Sequence, residues 1–381
     1  MTVWLRRQKR LIDYTVASLL RRAARNFALL AVYTLIVFVL ATVMLFTHAL
    51  RQEAMVLLDG APEITVQRIS MGRHDLIPAS YVDAIADIRG ARDVRGRLWG
   101  YFYDTANGAN YTLMVPDGDR YGAAPDVGET VAGAGVARSR GVVPGKYLFL
   151  LSPRAKLFKL KLKDVLDADS EIVTTDLVLM AESDFRAFFD VAPDVHTDIV
   201  LKVRNPREVA KVAEKISNAL PDCRVVTRGD ILRTYDSVFN WREGILLALL
   251  GGAIFAFVIF AWEKASGLSA EERREIGILK AVGWETSDVI KMKMWEGAVV
   301  SLGAFLTGYV LAYIHVFYFS AGLLEPVLKG WAVLYPRFEL TPQVDGVQVA
   351  TLLFFTVAPY IAATLVPIWR AAITDPDAVM R

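Results

Sequence analysis

The chain has 381 residues, 54% of them hydrophobic and 22% charged, with a formal net charge of +2 and a mean hydropathy of +0.35. That average is too apolar for a wholly soluble chain, and the charged fraction is too large for one that is all membrane, so a few spans plus one soluble domain are expected. The near-neutral balance gives no electrostatic footprint for nucleic acid, and the single cysteine, Cys223, has no intrachain disulfide partner.

Residues 1–26 carry Arg6, Arg7, Lys9, Arg10, Arg21, Arg22 and Arg25 against one acid, Asp13. Leu11, Ile12, Tyr14, Val16, Leu19 and Leu20 are interspersed among these bases. The pattern predicts an amphipathic helix on the cytoplasmic membrane face, with its arginines at the lipid headgroups. An uncharged run from Phe27 to Phe46 follows, inside a first span at 27–48. The run is too long for a signal-peptide core and no small-residue cleavage site follows it.

Residues 49–243 form one large domain on the far side of the membrane. Two stretches there share a strand–helix–strand pattern. In the first, Glu63–Ile69 reads as a strand, Pro78 opens a helix carrying Tyr81, Ile85 and Ile88, and Val94–Tyr103 is extended. In the second, a strand at Asp198–Arg204 is followed by Asn205 and Pro206 as N-cap and first helical residue. Val209, Val212, Ala213, Ile216 and Leu220 then lie on one helical face, and Cys223–Thr227 returns as a strand. The domain therefore reads as α+β, two β-α-β units separated by a β-rich insert at about 105–195 with a short helix near Ser183–Phe189. Trp99–Tyr103 and Tyr147–Leu151 are expected as core strands, with contact to a hydrophobic cargo or partner as the alternative. Asp194, His196 and Asp198 could hold a metal, and His74 and Asp75 could join them, but such strings are common in solvated loops and no metal site is expected.

Three more spans follow, at 244–262, 297–321 and 347–369, with outside residues 322–346 before the last and a cytoplasmic tail at 370–381. Lys264, Arg273, Arg274, Lys280, Lys291 and Lys293 mark 263–296 as cytoplasmic, while 322–346 has only Lys329 and Arg337. The fold class is thus membrane α-helical, four transmembrane helices with an α+β extracytoplasmic domain. Ala248, Gly252 and Ala256 in the second span, and Ala304, Gly308 and Ala312 in the third, form small-residue rows suited to helix packing within or between chains. Pro359 is expected to kink the fourth span. The spans hold almost no ionisable groups: His315 is one, expected at the interface beside Tyr313 and Tyr318. That argues against an ion-coupled secondary transporter.

The cytoplasmic loop is the most informative segment. Ser269 to Glu272 forms a capping box and Gly283 a helix stop. Between them, Ile276, Leu279 and Val282 lie in one apolar arc, and Thr286 or Ser287 caps the next helix. Such a short helix suits either docking of a soluble partner or a plain surface connector. The string Arg274, Glu275, Ile276, Gly277, Ile278, Leu279, Lys280, Ala281, Val282, Gly283, then Asp288, Val289, Glu296 and Gly297, resembles the loop between spans two and three of the MacB/LolC/FtsX (type VII) ABC permease superfamily. The tail from Pro367 to Arg381 is similar to that family's usual ending.

The resemblance implies a permease subunit, working as a dimer with a second copy or paralogue and with a separate ABC ATPase. Arg274, Glu275, Ile276, Gly277, Ile278, Leu279, Lys280 and Gly283 would couple to that ATPase. ATP-driven motion would pass to the periplasmic domain to export or extract a substrate or to activate an envelope partner, with a periplasmic adaptor or lipoprotein as a further partner. The chain has no G-x-x-x-x-G-K-[ST] loop, so ATP and Mg belong to the partner, and no cofactor or catalytic residue is expected here. The setting implied is the bacterial inner membrane, with both termini cytoplasmic. The competing reading is a membrane-anchored periplasmic scaffold or sensor without ATP coupling.

Overall fold

The structure is a computed structural model. It describes residues 2–373 apart from 22, 60, 117–120, 122–123, 167–170, 172, 267–269, 327–329, 331 and 337–339. Ser269 of the expected capping box and the tail beyond Ile373 lie outside the described residues. The chain divides into two compact units. One comprises Met1–Leu50, Asn240–Gly322 and Thr341–Arg381, and the other Arg51–Phe239 with Leu323–Leu340.

Helices α1 (Thr2–Arg21) and α2 (Ala23–Asp59) open the chain. The second unit follows with β1 (Ile64–Ser70), β2 (Arg73–Asp75), β3 (Ile77–Pro78), α3 (Ser80–Ala86), β4 (Ala91–Arg97), β5 (Trp99–Asp104), β6 (Ala109–Met114), β7 (Glu129–Gly133), α4 (Ala134–Arg140), β8 (Tyr147–Leu151), β9 (Leu157–Leu166), β10 (Leu177–Met180), α5 (Glu182–Phe189), β11 (Val195–His196), β12 (Asp198–Val203), α6 (Val209–Ala219) and β13 (Cys223–Thr227). Pro78 sits in β3, paired with Val195, and the helix expected from it begins at Ser80. Asn205 caps a single 3-10 turn before α6, its Oδ1 accepting from the Arg207 amide at 3.1 Å.

The two strand–helix–strand segments do not stand as separate units. The first sheet runs β13-β1-β12-β4, with β2 added beside β1. β1 and β4 are thus separated by β12, and β12 and β13 by β1. Interleaving makes the pairs β1–β12, β1–β13 and β12–β4 all antiparallel. It also lets both helices share one apolar face: Ile85 of α3 and Val212 and Ile216 of α6 are buried with Ile64, Val66, Ile199 and Leu201.

The insert forms a second sheet in the order β5-β6-β10-β7-β9-β8. The strand expected at Val94–Tyr103 breaks at Leu98, where the chain passes from the first sheet to the second. Thr197 clamps the break: its hydroxyl donates to the Trp99 carbonyl at 2.8 Å and accepts from the Trp99 amide at 3.1 Å. Phe102, Tyr111, Leu113, Leu148, Leu150, Phe158, Phe185 and Phe188 fill one core. The two stretches expected as core strands are core on one side only. Phe102, Leu148 and Leu150 are buried, while Tyr101, Tyr103, Tyr147, Phe149 and Leu151 are exposed. Residues 334–335, expected in a separate outside loop, belong to this unit: Leu334 packs on the same core, and the Tyr335 carbonyl accepts from Arg138 at 3.3 Å.

The helices α7 (Arg228–Ser266), which enters the first unit at Asn240, α8 (Ala270–Ala281), α9 (Thr286–Phe317) and α10 (Gly346–Ile373) complete the chain. Among the described residues, three helices are long and apolar enough to cross a membrane: Asn26–Glu53 in α2, Thr286–Phe317 in α9 and Gly346–Leu365 in α10. α7 encloses the expected second span as helix. Along α2, Tyr33, Val37, Ala41 and Leu45 recur every four residues and are all buried. Of these, Val37 faces α9 and Tyr33 faces α10. A Cβ on Gly308 would stand 2.8 Å from the Thr34 carbonyl oxygen and 2.9 Å from Val37 Cβ, so only glycine permits this approach. The Tyr33 hydroxyl donates to the Thr356 carbonyl, and its ring stacks on Tyr360 at 5.3 Å. His315 is buried against Phe38 of α2, ring centroids 5.6 Å apart.

Candidate functional site

The segment singled out in the cytoplasmic loop is helix α8 and the turn that joins it to α9. Its C-terminus closes by backbone geometry. Trp284 N donates to the Leu279 carbonyl and Gly283 N to the Lys280 carbonyl, both at 3.0 Å, with Gly283 at φ +101°. This is a Schellman turn, and its left-handed position suits glycine. The following helix is capped by Glu285, not by Thr286 or Ser287. The Glu285 carbonyl accepts from Asp288 N at 2.9 Å and Val289 N at 3.2 Å, and the Ser287 hydroxyl donates to the Glu285 carboxylate at 3.2 Å.

The single apolar arc expected on α8 is divided in the structure. Ile276 is 5% exposed and packs on Val289 and Ile290 of α9, with Gly277 also buried. Leu279 and Lys280 are half-buried, and Arg274 is exposed. Ile278 and Val282, one helical turn apart, are 51% and 76% exposed. One side of α8 is therefore fixed to α9, while Arg274, Ile278 and Val282 form a small outward ridge with apolar tips.

Glu275 adds a second fixation that sequence reasoning missed. Its carboxylate accepts from the Tyr14 hydroxyl at 2.9 Å and from Arg21 at 3.3 Å, both on α1. The Tyr14 ring lies 5.7 Å from Trp284, and the Arg21 guanidinium is 5.6 Å from the Tyr14 centroid. Burial, followed by the bond to Glu275, pushes the Tyr14 phenol above its ordinary value of 10.0. α1 also lies on the first turns of α9. Thr15, 1% exposed, donates to the Leu11 carbonyl at 2.7 Å and reaches the Met292 carbonyl at 3.4 Å. Trp295 Nε1 donates to Gln8 at 2.8 Å. The amphipathic pattern of residues 1–26 thus serves protein packing on the side of Leu11 and Thr15, whereas Leu20 is 70% exposed. The sequence signal was the amphipathicity itself, which does not say whether lipid or another helix covers the apolar side.

Further along α9, Lys293 and Glu296 form a pair at 2.6 Å whose side chains are 9% and 15% exposed. Ala304, Gly308 and Ala312 are buried. Ala248, Gly252 and Ala256 of α7 are exposed, and a Cβ on Gly252 would meet nothing within 4 Å.

In the second unit, the Asp194, His196 and Asp198 string is not gathered as a ligand set. Asp198, 1% exposed, is held by Arg97 through bonds of 2.8 and 2.7 Å and by Trp99 Nε1 at 3.0 Å. His196 packs over Gly96, where a Cβ would fall 2.3 Å from its ring, and burial lowers its pKa. Among the described residues no group of three or more His, Cys, Asp or Glu is placed to hold a metal. His74 stacks on Trp99 at 5.9 Å, and Asp75 lies 3.8 Å from Arg68.

Residues 244–376 match the family model of the FtsX-like permease C-terminal domain. The matched span takes in most of α7, all of α8 and α9, and α10. The chain is also similar to an uncharacterized ABC transporter permease of Methanocaldococcus jannaschii, with 29% identity over 122 residues. That alignment covers 30% of this chain and 30% of that protein. The chain is a multi-pass membrane protein whose residues 244–376 are similar to the FtsX-like permease C-terminal domain.

Proposed function

We propose that the chain is the permease subunit of an ABC transporter of the MacB/FtsX kind, driven by a separate ATPase that docks on α8. The observation that carries this reading is the two-sidedness of α8. Its inner side is anchored by Ile276 on Val289 and by Glu275 on Tyr14, while Ile278 and Val282 stand exposed within the family-matched segment. A helix held on one side and apolar at its outward tips fits a groove on a soluble partner, in the manner of helix-in-groove recognition.

In this reading, nucleotide-driven closure of the ATPase displaces α8. The Schellman turn at Gly283 ties that displacement to α9, a helix of 32 residues and therefore about 48 Å long. Close packing at Gly308 carries the motion to α2, and α2 and α7 lead the chain into the domain at 49–243. Four spans with both termini cytoplasmic, in a bacterial inner membrane, place that domain in the periplasm. There the motion exports or extracts a substrate or acts on an envelope partner. ATP and Mg are bound by the ATPase. The exposed Ala248, Gly252 and Ala256 row is assigned to association with a second permease copy or paralogue.

The test is co-purification. Tagged chain extracted from its own membranes brings down an ABC ATPase, and charge reversal across Arg274 to Lys280 abolishes that association without loss of the permease from the membrane. Undiminished recovery of the ATPase with the reversed variant would overturn the proposal in favour of an uncoupled scaffold.

A further inference from the structure

In the second unit the six-stranded sheet ends at β8, and among the described residues no strand lies beyond it. Leu148 and Leu150 point into the core at 1% and 0% exposure, while Tyr147, Phe149 and Leu151 are 45%, 46% and 47% exposed. The backbone follows the same alternation. Leu162 N donates to the Lys146 carbonyl and Ser152 N to the Lys156 carbonyl, so the even-numbered residues bond to β9 and the odd-numbered ones turn their N–H and C=O to the open edge. The Arg140 guanidinium reaches the Phe149 carbonyl there. Natural edge strands are usually guarded by charge, proline or a bulge. β8 reads Tyr-Leu-Phe-Leu-Leu and pairs with β9 without a register shift.

The charge around this edge is mainly basic, with Arg140 paired to the buried Asp104 at 3.4 Å. From Arg140 to Lys163 the chain has seven basic residues and no acid. Glu129, from β7, approaches Lys161 at 3.9 Å and Lys163 at 3.4 Å; Asp126 approaches Lys163 at 3.8 Å, and Asp190 pairs with Arg154. Lys159 lies 4.0 Å above the Tyr147 ring.

We propose that β8 is a docking strand for an acidic, extended segment of a partner polypeptide, which adds to the sheet alongside it. Its backbone pairs with Tyr147, Leu151 and the Phe149 amide, its apolar side chains lie beside theirs, and its carboxylates meet the basic excess around Lys146 and Lys159. A second copy of this chain is disfavoured, because edge-to-edge pairing would set two basic hairpins against each other. A bilayer is disfavoured because it leaves the outward N–H and C=O groups without partners. The inference does not depend on the ATPase reading, since it concerns only the second unit.

The test uses the full chain in detergent micelles and a short fluorescent peptide alternating Glu with Val. Binding is read by anisotropy, and strand formation by the amide band of isotope-labelled peptide. The acidic peptide binds as a strand, and its Lys–Val counterpart does not. Phe149→Pro, tolerated because that N–H faces away from β9, weakens binding about tenfold or more, the loss of several cross-strand pairs. Phe149→Asp, which leaves the backbone intact, and Lys159→Glu weaken it as well. Equal binding by these variants, equal binding of the lysine peptide, or preference for phosphatidylglycerol vesicles over the peptide would overturn the proposal.

Discussion

The Tyr14 hydroxyl donates to the Glu275 carboxylate at 2.9 Å across 261 positions of sequence, joining the N-terminal helix to the helix assigned to ATPase docking. Arg21 adds a bond to the same carboxylate, but its side chain is 59% exposed, so that pair contributes little on its own. Tyr14→Phe and Glu275→Gln are expected to loosen α8 while leaving the rest of the unit folded. Hydrogen exchange at residues 275–282 checks this, with faster exchange in both variants. The pH dependence follows from the raised phenol. Stability from a neutral Tyr14 is fully present below its unfolded value of 10.0 and is lost as pH rises through the higher folded value. Protection of α8 should therefore be flat from pH 6 to 9 and fall above pH 10.

Gly283 occupies the left-handed position that turns α8 into α9. Gly283→Ala adds a Cβ with nothing within 4 Å to clash with, so its cost is conformational, about 1 kcal/mol. The expected result is a permease that still binds its ATPase but stimulates it less, measured as nucleotide turnover of the purified complex. Unchanged turnover would show that the rigidity of this turn is not used.

Gly308 and Gly252 separate packing inside the chain from packing outside it. Gly308→Val drives a side chain into Thr34 and Val37 and should cost about 2 kcal/mol of fold stability. Gly252→Val places its Cβ with nothing within 4 Å among the described residues and should change stability less than Gly308→Val while weakening any association through α7. Denaturant titration of both variants, with cross-linking for oligomer state, reads the two effects apart.

Asp198 is almost completely buried beneath Arg97 and Trp99. Asp198→Ala removes the buried carboxylate that accepts from Arg97 and Trp99 Nε1 and is expected to cost about 3 kcal/mol. Thermal unfolding of the full chain should show the second unit melting earlier. A loss below about 1 kcal/mol would mean that water replaces the carboxylate.

Much of this was legible in the sequence, because long-period patterns report on helices. The apolar runs, the Asn205-Pro206 start and the Gly283 stop all follow from local chemistry. What escaped was pairing at a distance. Nothing in residues 64–70 themselves says that β12, and not β4, lies beside them, since pairing between strands distant in sequence leaves no local signal. The Tyr14–Glu275 bond left no trace because a basic, amphipathic N-terminus suits a lipid surface as well as a neighbouring helix. The single arc drawn through Ile276, Leu279 and Val282 failed because α8 is too short for periodicity to tell an anchored side from a free one. Gly308 and Gly252 sit in identical small-residue rows, and only the packing of α2 shows which row the chain itself uses.

The ATPase docking proposed for α8 depends most directly on where Ile278 points. Burial raises the Cys223 thiol to about 11, followed by the effect of Asp222, so at neutral pH this native cysteine reacts slowly and a new one can be labelled selectively. Ile278→Cys carrying a photo-cross-linker, irradiated in native membranes, is expected to yield a covalent adduct with an ABC ATPase that the same label on Arg207→Cys does not give. Failure to trap an ATPase at Ile278, or equal trapping from Arg207, would contradict it.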